Sequence, residues 1–224
     1  MNEKDFKILL LKHLYKGFKD ATVVTEFGFS EKPARQTDAI SDIFMISKGD
    51  MHVFEIKSPK DTLERLKSQV DVYLEHVNYV NVCVDPKFLK ELDFLPNRVG
   101  IYTIDNKEII QIREAIYGKV ATQRYLDHLW LNELMKLLRG FSTEAYTQAC
   151  EECMRKHFTK PQIKAIVLFR LQERLQEESD RVKEYISSKA YDKKIPGRIW
   201  YKNPKVTPIK DIPFGTMLPF LKNY

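Results

Sequence analysis

Two acidic residues and a lysine stand at the ends of two short, mostly apolar runs of the sequence. Asp42 opens an apolar run, Glu55 and Lys57 close a second one, and Lys48 and Gly49 lie between the two runs. If Lys48 and Gly49 form a two-residue hairpin loop, Asp42 lies directly opposite Glu55. Because side chains alternate along a strand, Lys57 shares their face of the sheet. The spacing therefore predicts that two acids and a lysine meet at the open end of one hairpin.

This arrangement suggests metal-assisted phosphate chemistry. Opposed carboxylates with Cβ atoms about 4.5–5.5 Å apart repel each other unless a cation neutralises them. Mg²⁺ (or Mn²⁺) does this well through oxygen ligands, and the backbone carbonyl of Ile56 is a further oxygen at the same place. Lys57 beside such an ion could orient a water or stabilise charge at a transferring phosphate. The alternative is a surface hairpin with an acid–lysine cross-strand pair; the apolar flanks and the helix predicted just after Pro59 favour the metal site.

The rest of the first half predicts the elements that position this hairpin. Pro59 ends the second hairpin strand, and Asp61 or Thr62 can cap a helix that runs to His76. The other predicted elements are a helix at 3–19 and strands at Ala21–Phe27, Asp42–Ser47, Met51–Lys57, Tyr79–Val84, Val99–Ile104 and Glu108–Ile112.

Beyond residue 115 the pattern becomes helical, with helices predicted at 121–139, 143–157 and 160–188. The last thirty residues hold five prolines, so they cannot form a continuous helix. They are either an extended arm on the body of the protein or a partly ordered tail. We therefore divide the chain into a core at 1–114, a helical region at 115–190 and a tail at 191–224.

The motifs resemble the PD-(D/E)XK nuclease superfamily. Asp42 followed by Glu55-Ile56-Lys57, on two strands before a helix, has that superfamily's order, and Gln69 and Tyr73 resemble the Gln-x-x-x-Tyr motif of its RecB-like nucleases. The segment 54–73 is more closely similar to a group of uncharacterised bacterial and prophage proteins assigned to this superfamily. Those proteins also have a helical C-terminal half with a Leu-Trp motif, similar to 128–133 here.

The resemblance covers roughly residues 3–180 and has two departures. Ser41 stands where the superfamily has a proline before its Asp, which is a common variation. The basic residue that often precedes the Asp is not adjacent, and Arg35 is the candidate substitute.

The resemblance implies a fold and a set of site residues. The expected fold is α/β: a restriction-endonuclease-like core, with a mixed central sheet flanked by helices, an α-helical C-terminal region and an extended Pro-rich tail. The expected activity is Mg²⁺-dependent (endo)nucleolytic hydrolysis of phosphodiester bonds, in DNA more than in RNA. Asp42, Glu55 and the Ile56 carbonyl would hold the metal, and Lys57 would assist at the phosphate.

Three further residues have a functional and a structural interpretation each. Glu26 would add an acid from the strand before the hairpin, or it is a solvated strand-end glutamate. Gln69 would contact water at the metal or a phosphate, or it lies on a helix surface. Tyr73, on the same helix face as Gln69, would brace the site, or it belongs to the core.

Charge is distributed unevenly along the chain. Residues 1–114 carry 17 Lys and Arg against 19 Asp and Glu, whereas residues 115–224 carry 20 against 12. A local basic surplus is typical of proteins with a polyanion partner, although lysines also serve solubility. The nucleic-acid-binding candidates lie in the tail and interleave with Trp200 and Tyr201: Lys193, Lys194, Arg198, Lys202 and Lys205. In the rival interpretation the aromatic and apolar tail residues anchor this arm to the protein itself.

Composition limits the other function classes. No run approaches the ~18 apolar residues of a membrane helix, and three cysteines fit a reducing cytoplasm better than a disulfide framework. Cys150 and Cys153 with His157 lack the second ligand pair of a zinc site and are expected to serve packing. A non-catalytic nucleic-acid or protein-binding module on the same fold is the main alternative to a nuclease, and a structural subunit is a weaker third possibility. The sequence leaves the oligomeric state open.

Overall fold

The structure is a computed structural model that describes residues 1–29, 39–197 and 205–213. Six strands form one mixed sheet in chain order, β1 to β6. The β1–β2, β2–β3 and β5–β6 pairs are antiparallel, whereas β3–β4 and β4–β5 are parallel. The strands are β1 (Thr22–Phe29), β2 (Ala39–Ser47), β3 (Asp50–Lys57), β4 (Tyr79–Val84), β5 (Gly100–Asp105) and β6 (Glu108–Arg113).

Six α-helices accompany the sheet in the described part of the chain. They are α1 (Glu3–Gly17), α2 (Leu66–His76), α3 (Thr122–Leu126), α4 (Leu131–Leu137), α5 (Thr147–His157) and α6 (Lys160–Ser188). Two short 3₁₀ helices cover Pro86–Glu91 and Ile209–Asp211. None of the helices in the described ranges is long and apolar enough to cross a membrane. The expected mixed α/β sheet flanked by helices, with a helical C-terminal region, is confirmed.

The β2–β3 hairpin has the predicted register. Lys48 and Gly49 form its loop with φ of 52° and 83°, the left-handed backbone that a two-residue type I′ turn requires. Ser47 pairs with Asp50 and the ladder runs to the Ile43–Phe54 pair. Continuing this register by one residue places Asp42 opposite Glu55.

The two faces of the sheet pack against different helices. On one face, Phe6 and Leu10 of α1 share an apolar cluster with Phe54 of β3. On the other, Tyr73 of α2 shares a cluster with Val53 of β3 and with the buried side chains of α3 to α6. The helical region and the sheet therefore have a common core. The proposed three-part division of the chain stays a prediction.

The long helix α6 covers the edge strand β1. The hydroxyl of Ser179 accepts a hydrogen bond of 2.9 Å from the backbone N–H of Val23. Side chains from the first half of α6, such as Leu171, pack in the cluster with α2, whereas Val182 packs in the cluster with α1. Covering an edge in this way removes a strand that could pair with another chain.

Two helix predictions were wrong in their details. Helix α2 begins at Leu66 rather than at Asp61 or Thr62, because the Asp61 carboxylate accepts hydrogen bonds from the backbone N–H and hydroxyl of Ser58 and closes a turn there. The helix predicted over 121–139 is divided into α3 and α4. The backbone N–H of Trp130 donates to the side chain of Glu133 and starts α4 anew.

Candidate active site

The predicted site residues meet in a cleft at the open end of the hairpin. The cleft has a volume of about 450 Å³ and receives residues from α1, β2, β3 and α2. Both acids line it, together with Lys57 and Gln69. Its other polar lining residues are Glu3, Asp61, Arg65 and Ser68.

Glu55 is the most heavily hydrogen-bonded acid of the cleft. Its side chain is 4% exposed, and its Oε1 accepts hydrogen bonds from Lys57 Nζ at 2.9 Å and Gln69 Nε2 at 2.7 Å. Lys57 Nζ also donates to Gln69 Oε1 at 3.0 Å, so Glu55, Lys57 and Gln69 form a closed triangle. Burial and the nearby charge of Asp42 raise the pKa of Glu55, against the opposing effects of Lys57 and Tyr73. Gln69 therefore contacts both charged residues of the triangle, and its role at a metal-bound water or a phosphate stays a prediction.

Tyr73 combines the two roles considered from the sequence. Its ring is fully buried and contacts Phe29 edge-on, with centroids 5.3 Å apart. Its hydroxyl lies 2.8 Å from Glu55 Oε2 and 2.9 Å from the carbonyl oxygen of Ile40. The single hydroxyl proton serves one of these acceptors at a time. Burial and the Glu55 charge raise the pKa of Tyr73, so the residue braces the site as a neutral phenol.

Asp42 is held by a backbone N–H and a lysine. Its Oδ2 accepts a hydrogen bond of 2.8 Å from the N–H of Ile56, and its Oδ1 lies 2.9 Å from Lys7 Nζ. In an antiparallel pair the N–H and C=O of one residue point toward the same neighbouring strand. The Ile56 carbonyl therefore faces the side on which Asp42 lies, as its proposed role as a ligand requires.

Lys7, the partner of Asp42, is a residue that the sequence analysis missed. It lies in α1, and its side chain is only 7% exposed. Burial disfavours its charge, but the pairing with Asp42 and the charges of Glu3 and Glu26 outweigh this and raise the pKa of Lys7. The available signal was a lysine on the apolar stripe of α1, three and seven residues before the buried Leu10 and Leu14.

Glu26 lies near the site but belongs to neither hydrogen-bonded group. Its φ of 60° is unusual for a non-glycine residue, and it falls between the Thr25–Ile43 and Phe27–Ser41 pairs, opposite Asp42. Its side chain is exposed and points toward Gly197, where an added Cβ would lie 3.1 Å from Glu26 Oε2. Glu26 influences Lys7 through its charge, and its role as a further catalytic acid stays a prediction.

The donor chemistry of the cleft fits a hard divalent cation. Asp42 and Glu55 are carboxylates, and the Ile56 carbonyl is a third oxygen donor; such ligands suit Mg²⁺ or Mn²⁺. Each carboxylate has about four lone-pair positions, and the described contacts occupy two on Asp42 and three on Glu55. Within the described ranges, no group of three or more Asp, Glu, His or Cys side chains is placed to hold a metal ion. Any metal here would therefore depend on two carboxylates.

The described parts of the tail lie against the body of the protein. The hydroxyl of Thr25 donates to the Pro196 carbonyl at 2.7 Å, and the hydroxyl of Tyr185 donates to the Lys193 carbonyl at 3.2 Å. Ile209 and Ile212 are buried. These contacts agree with the arm interpretation for 191–197 and 205–213. Three of the nucleic-acid-binding candidates are exposed: Lys193, Lys194 and Lys205. The other two, Arg198 and Lys202, lie outside the described residues.

Comparison with known proteins places the chain in a phage family. The family described as "Bacteriophage P4 protein cII" matches residues 1–195. "Protein cII" of Enterobacteria phage P4 is 27% identical over 162 residues, which cover 69% of this chain and 59% of that relative. The match thus spans less than two thirds of the relative's length. A solved structure of a protein of unknown function from Silicibacter pomeroyi has 26% identity and a TM-score of 0.40, over 53% of this chain and 75% of that one. With a family match over most of its length, this chain belongs to the bacteriophage P4 protein cII family.

Proposed function

We propose that this protein is a divalent-cation-dependent nuclease that hydrolyses phosphodiester bonds, with DNA favoured over RNA as substrate. The observation that carries the proposal is the cleft in which Asp42, Glu55 and Lys57 meet. The order of elements supports it: Asp42 and Glu55-Ile56-Lys57 lie on two adjacent strands that precede a helix, the arrangement in which they resemble the motifs of the PD-(D/E)XK superfamily. Family membership by itself is neutral between a nuclease and another function.

In this proposal each side chain of the cleft has one task. Asp42, Glu55 and the Ile56 carbonyl would hold the cation, which when bound would activate a water and neutralise charge at the phosphate. Lys57 Nζ uses two of its three N–H bonds on Glu55 and Gln69. The third has no acceptor among the residues that the structure describes and would donate to a phosphate oxygen. Gln69 fixes the direction of Lys57, and Tyr73 fixes Glu55.

A binding module without turnover is the second candidate. The observation that favours it is that Asp42 and Glu55 each have a lysine counter-ion already, Lys7 and Lys57 respectively. Such a cleft is electrically balanced without a metal. In this candidate function the two acid–lysine pairs stabilise the fold, and the basic C-terminal region binds a polyanion.

Calorimetry and cleavage assays together test the proposal. Wild-type protein should release or take up heat with Mn²⁺ and should cleave plasmid or single-stranded DNA only when Mg²⁺ or Mn²⁺ is present. Asp42→Asn and Glu55→Gln should lose both properties. Glu64→Gln, which changes an exposed acid next in the chain to the cleft residue Arg65, should keep them. Absence of Mn²⁺ heat from folded wild-type protein contradicts the nuclease and leaves the binding module.

A further inference from the structure

The two acids of the cleft have separate lysine partners that come from different faces of the sheet. Lys57 lies on β3 and lines the cleft beside Gln69. Lys7 lies on α1, whose apolar residues pack against the opposite face from α2. Both ammonium groups lie 2.9 Å from a carboxylate oxygen, and both side chains are less than a tenth exposed.

Lys7 differs from Lys57 in its access to a ligand. The residues that line the cleft include Asp42 and Lys57, and Lys7 is not one of the described side chains among them. Glu3, one helical turn earlier, does line the cleft and lies 3.5 Å from Lys7 Nζ. Any effect of Lys7 on a bound ion or substrate therefore acts through Asp42 rather than by direct contact.

The contacts of Asp42 show what Lys7 could do. With Lys7 on Oδ1 and the Ile56 N–H on Oδ2, both carboxylate oxygens are tied and the group has a fixed direction. Removing Lys7 would free one oxygen and leave the charge of Asp42 beside that of Glu55 without compensation. Uncompensated, partly buried charges of like sign destabilise the folded state.

We propose that Lys7 is a positioning residue that holds Asp42 against the Ile56 N–H and supplies the counter-charge that keeps the acid pair assembled before a cation binds. The inference rests on the proposed function for its link to metal binding, but the counter-charge role is independent of it. Lys7 also opposes the cation electrostatically, because it adds a positive charge next to one of the ligands. It therefore sets the cation affinity of the cleft at a lower value than the two acids alone would give.

A double-mutant cycle in metal-free protein tests the counter-charge role. In protein that retains Asp42, Lys7→Met should raise the equilibrium constant of unfolding by about a hundredfold. It should have a much smaller effect in the Asp42→Asn background, where the uncompensated charge is absent. Lys7→Arg keeps the positive charge and should stay close to the wild type. Equal effects of Lys7→Met in the two backgrounds would overturn the inference.

Calorimetry with Mn²⁺ tests the link to the cation. Lys7→Met should bind Mn²⁺ roughly tenfold more tightly than the wild type, because a neighbouring positive charge is removed, and its melting temperature should rise more on Mn²⁺ addition. A matched control is Lys164→Met, which breaks the buried 2.6 Å pair with Asp50 at the other end of the same hairpin. That variant should lose stability and keep the wild-type Mn²⁺ affinity.

The outcomes separate this inference from the proposed function. If wild-type protein gives no Mn²⁺ heat but the cycle shows coupling between Lys7 and Asp42, the nuclease proposal fails and the counter-charge role stands. If Mn²⁺ binds to the wild type and to Lys7→Met with equal affinity, the role of Lys7 in setting cation affinity is overturned while the nuclease proposal survives.

Discussion

Two groups of charged residues in this protein are similarly buried but differ in their surroundings. The first is the cleft, where Glu55 is bound by Lys57, Gln69 and Tyr73. The second lies in the helical region, where Glu133 of α4 has an exposed fraction of zero and pairs with Arg170 at 2.8 Å and Arg174 at 2.7 Å. Both carboxylates are therefore buried and paired with cations.

The difference lies in what else each carboxylate can reach. The Glu133 carboxylate pairs with two guanidinium groups of α6 and accepts a hydrogen bond from the backbone N–H of Trp130. These described contacts are all with the protein itself. Arg174 also donates to the carbonyl of His128 and lies 4.7 Å from the centre of the Trp130 ring. Glu55 instead lines a cleft of about 450 Å³ together with Asp42. Glu55 therefore borders open space, whereas the described contacts of Glu133 are all with side chains and backbone of the protein.

The Glu133 group also explains the Leu-Trp segment at 128–133. In the structure, Trp130 starts α4 and its ring covers Arg174, so the segment forms the turn that directs Glu133 toward α6. We infer that this segment serves the packing of the helical region rather than chemistry.

The largest expected effect on stability is at Glu133. Glu133→Ala should lower the free energy of unfolding by about 3–5 kcal/mol, because it removes the buried carboxylate that Arg170 and Arg174 share. Urea denaturation followed by circular dichroism measures this loss. Glu152→Ala, an exposed acid on α5, should change it by less than about 0.5 kcal/mol. A loss below about 1 kcal/mol at Glu133 would mean that the group is not a structural ion cluster.

Lys57→Ala should act on catalysis, and it should also lower stability because it leaves the buried Glu55 without its counter-charge. We expect cleavage to fall by about 10²–10³-fold or more, because a donor aimed at a developing phosphate charge is removed. The far-ultraviolet circular dichroism spectrum should match that of the wild type. Lys60→Ala, an exposed lysine three residues later, serves as the control for general charge loss. Cleavage at the wild-type rate by a folded Lys57→Ala protein would remove Lys57 from the mechanism.

His128 offers a test of burial without a compensating charge. Its ring is buried beside His76 and Arg174, and burial foremost lowers its pKa from 6.5 to about 3. Between these pH values the unfolded chain binds a proton that the folded protein excludes, so stability falls as the pH drops below about 6.5. The loss has a limiting slope of about 1.4 kcal/mol per pH unit.

The measurement is the free energy of unfolding between pH 7 and pH 4.5 in wild-type protein and His128→Asn. The variant should be less stable at neutral pH. Its free energy of unfolding should fall less steeply as the pH drops, with a slope smaller by up to about 1.4 kcal/mol per pH unit, the value for one proton. His157→Asn changes an exposed histidine and should keep the wild-type slope. Equal slopes in His128→Asn and wild type would show that His128 takes up its proton without unfolding.

The smallest expected effect is that of the exposed tail lysines, which belong to neither buried group. Replacing Lys193, Lys194 and Lys205 by alanine should reduce the slope of log affinity for duplex DNA against log salt by about 0.9 for each phosphate that the variant no longer neutralises. Thermal stability should hardly change, because these side chains are exposed. A triple alanine variant of exposed lysines elsewhere is the control: Lys90, Lys107 and Lys156. An unchanged slope in the tail variant would remove these three lysines from the binding surface.

Local rules were enough to predict the centre of the cleft from the sequence. The hairpin register follows from a two-residue loop and a period of two, so the opposition of Asp42 and Glu55 is a property of some sixteen consecutive residues. Gln69 and Tyr73 are one helical turn apart, and their shared face follows from the helix period alone. The start of α2 was less predictable, because Asp61 could cap a helix or close a turn and the sequence fits both.

Only the tertiary structure determined which distant residues complete each charged group. Lys7 reaches Asp42 because α1 packs on the opposite face of the sheet from α2, and Arg170 and Arg174 reach Glu133 because α6 passes beside α4. The placement of residues 195–197 beside β1, near Glu26, has the same origin. These pairs are separated by tens of residues or more, so they depend on how whole helices pack against the sheet. A local sequence pattern predicts which face of its own helix or strand is buried. It carries no information about which other element will pack on that face.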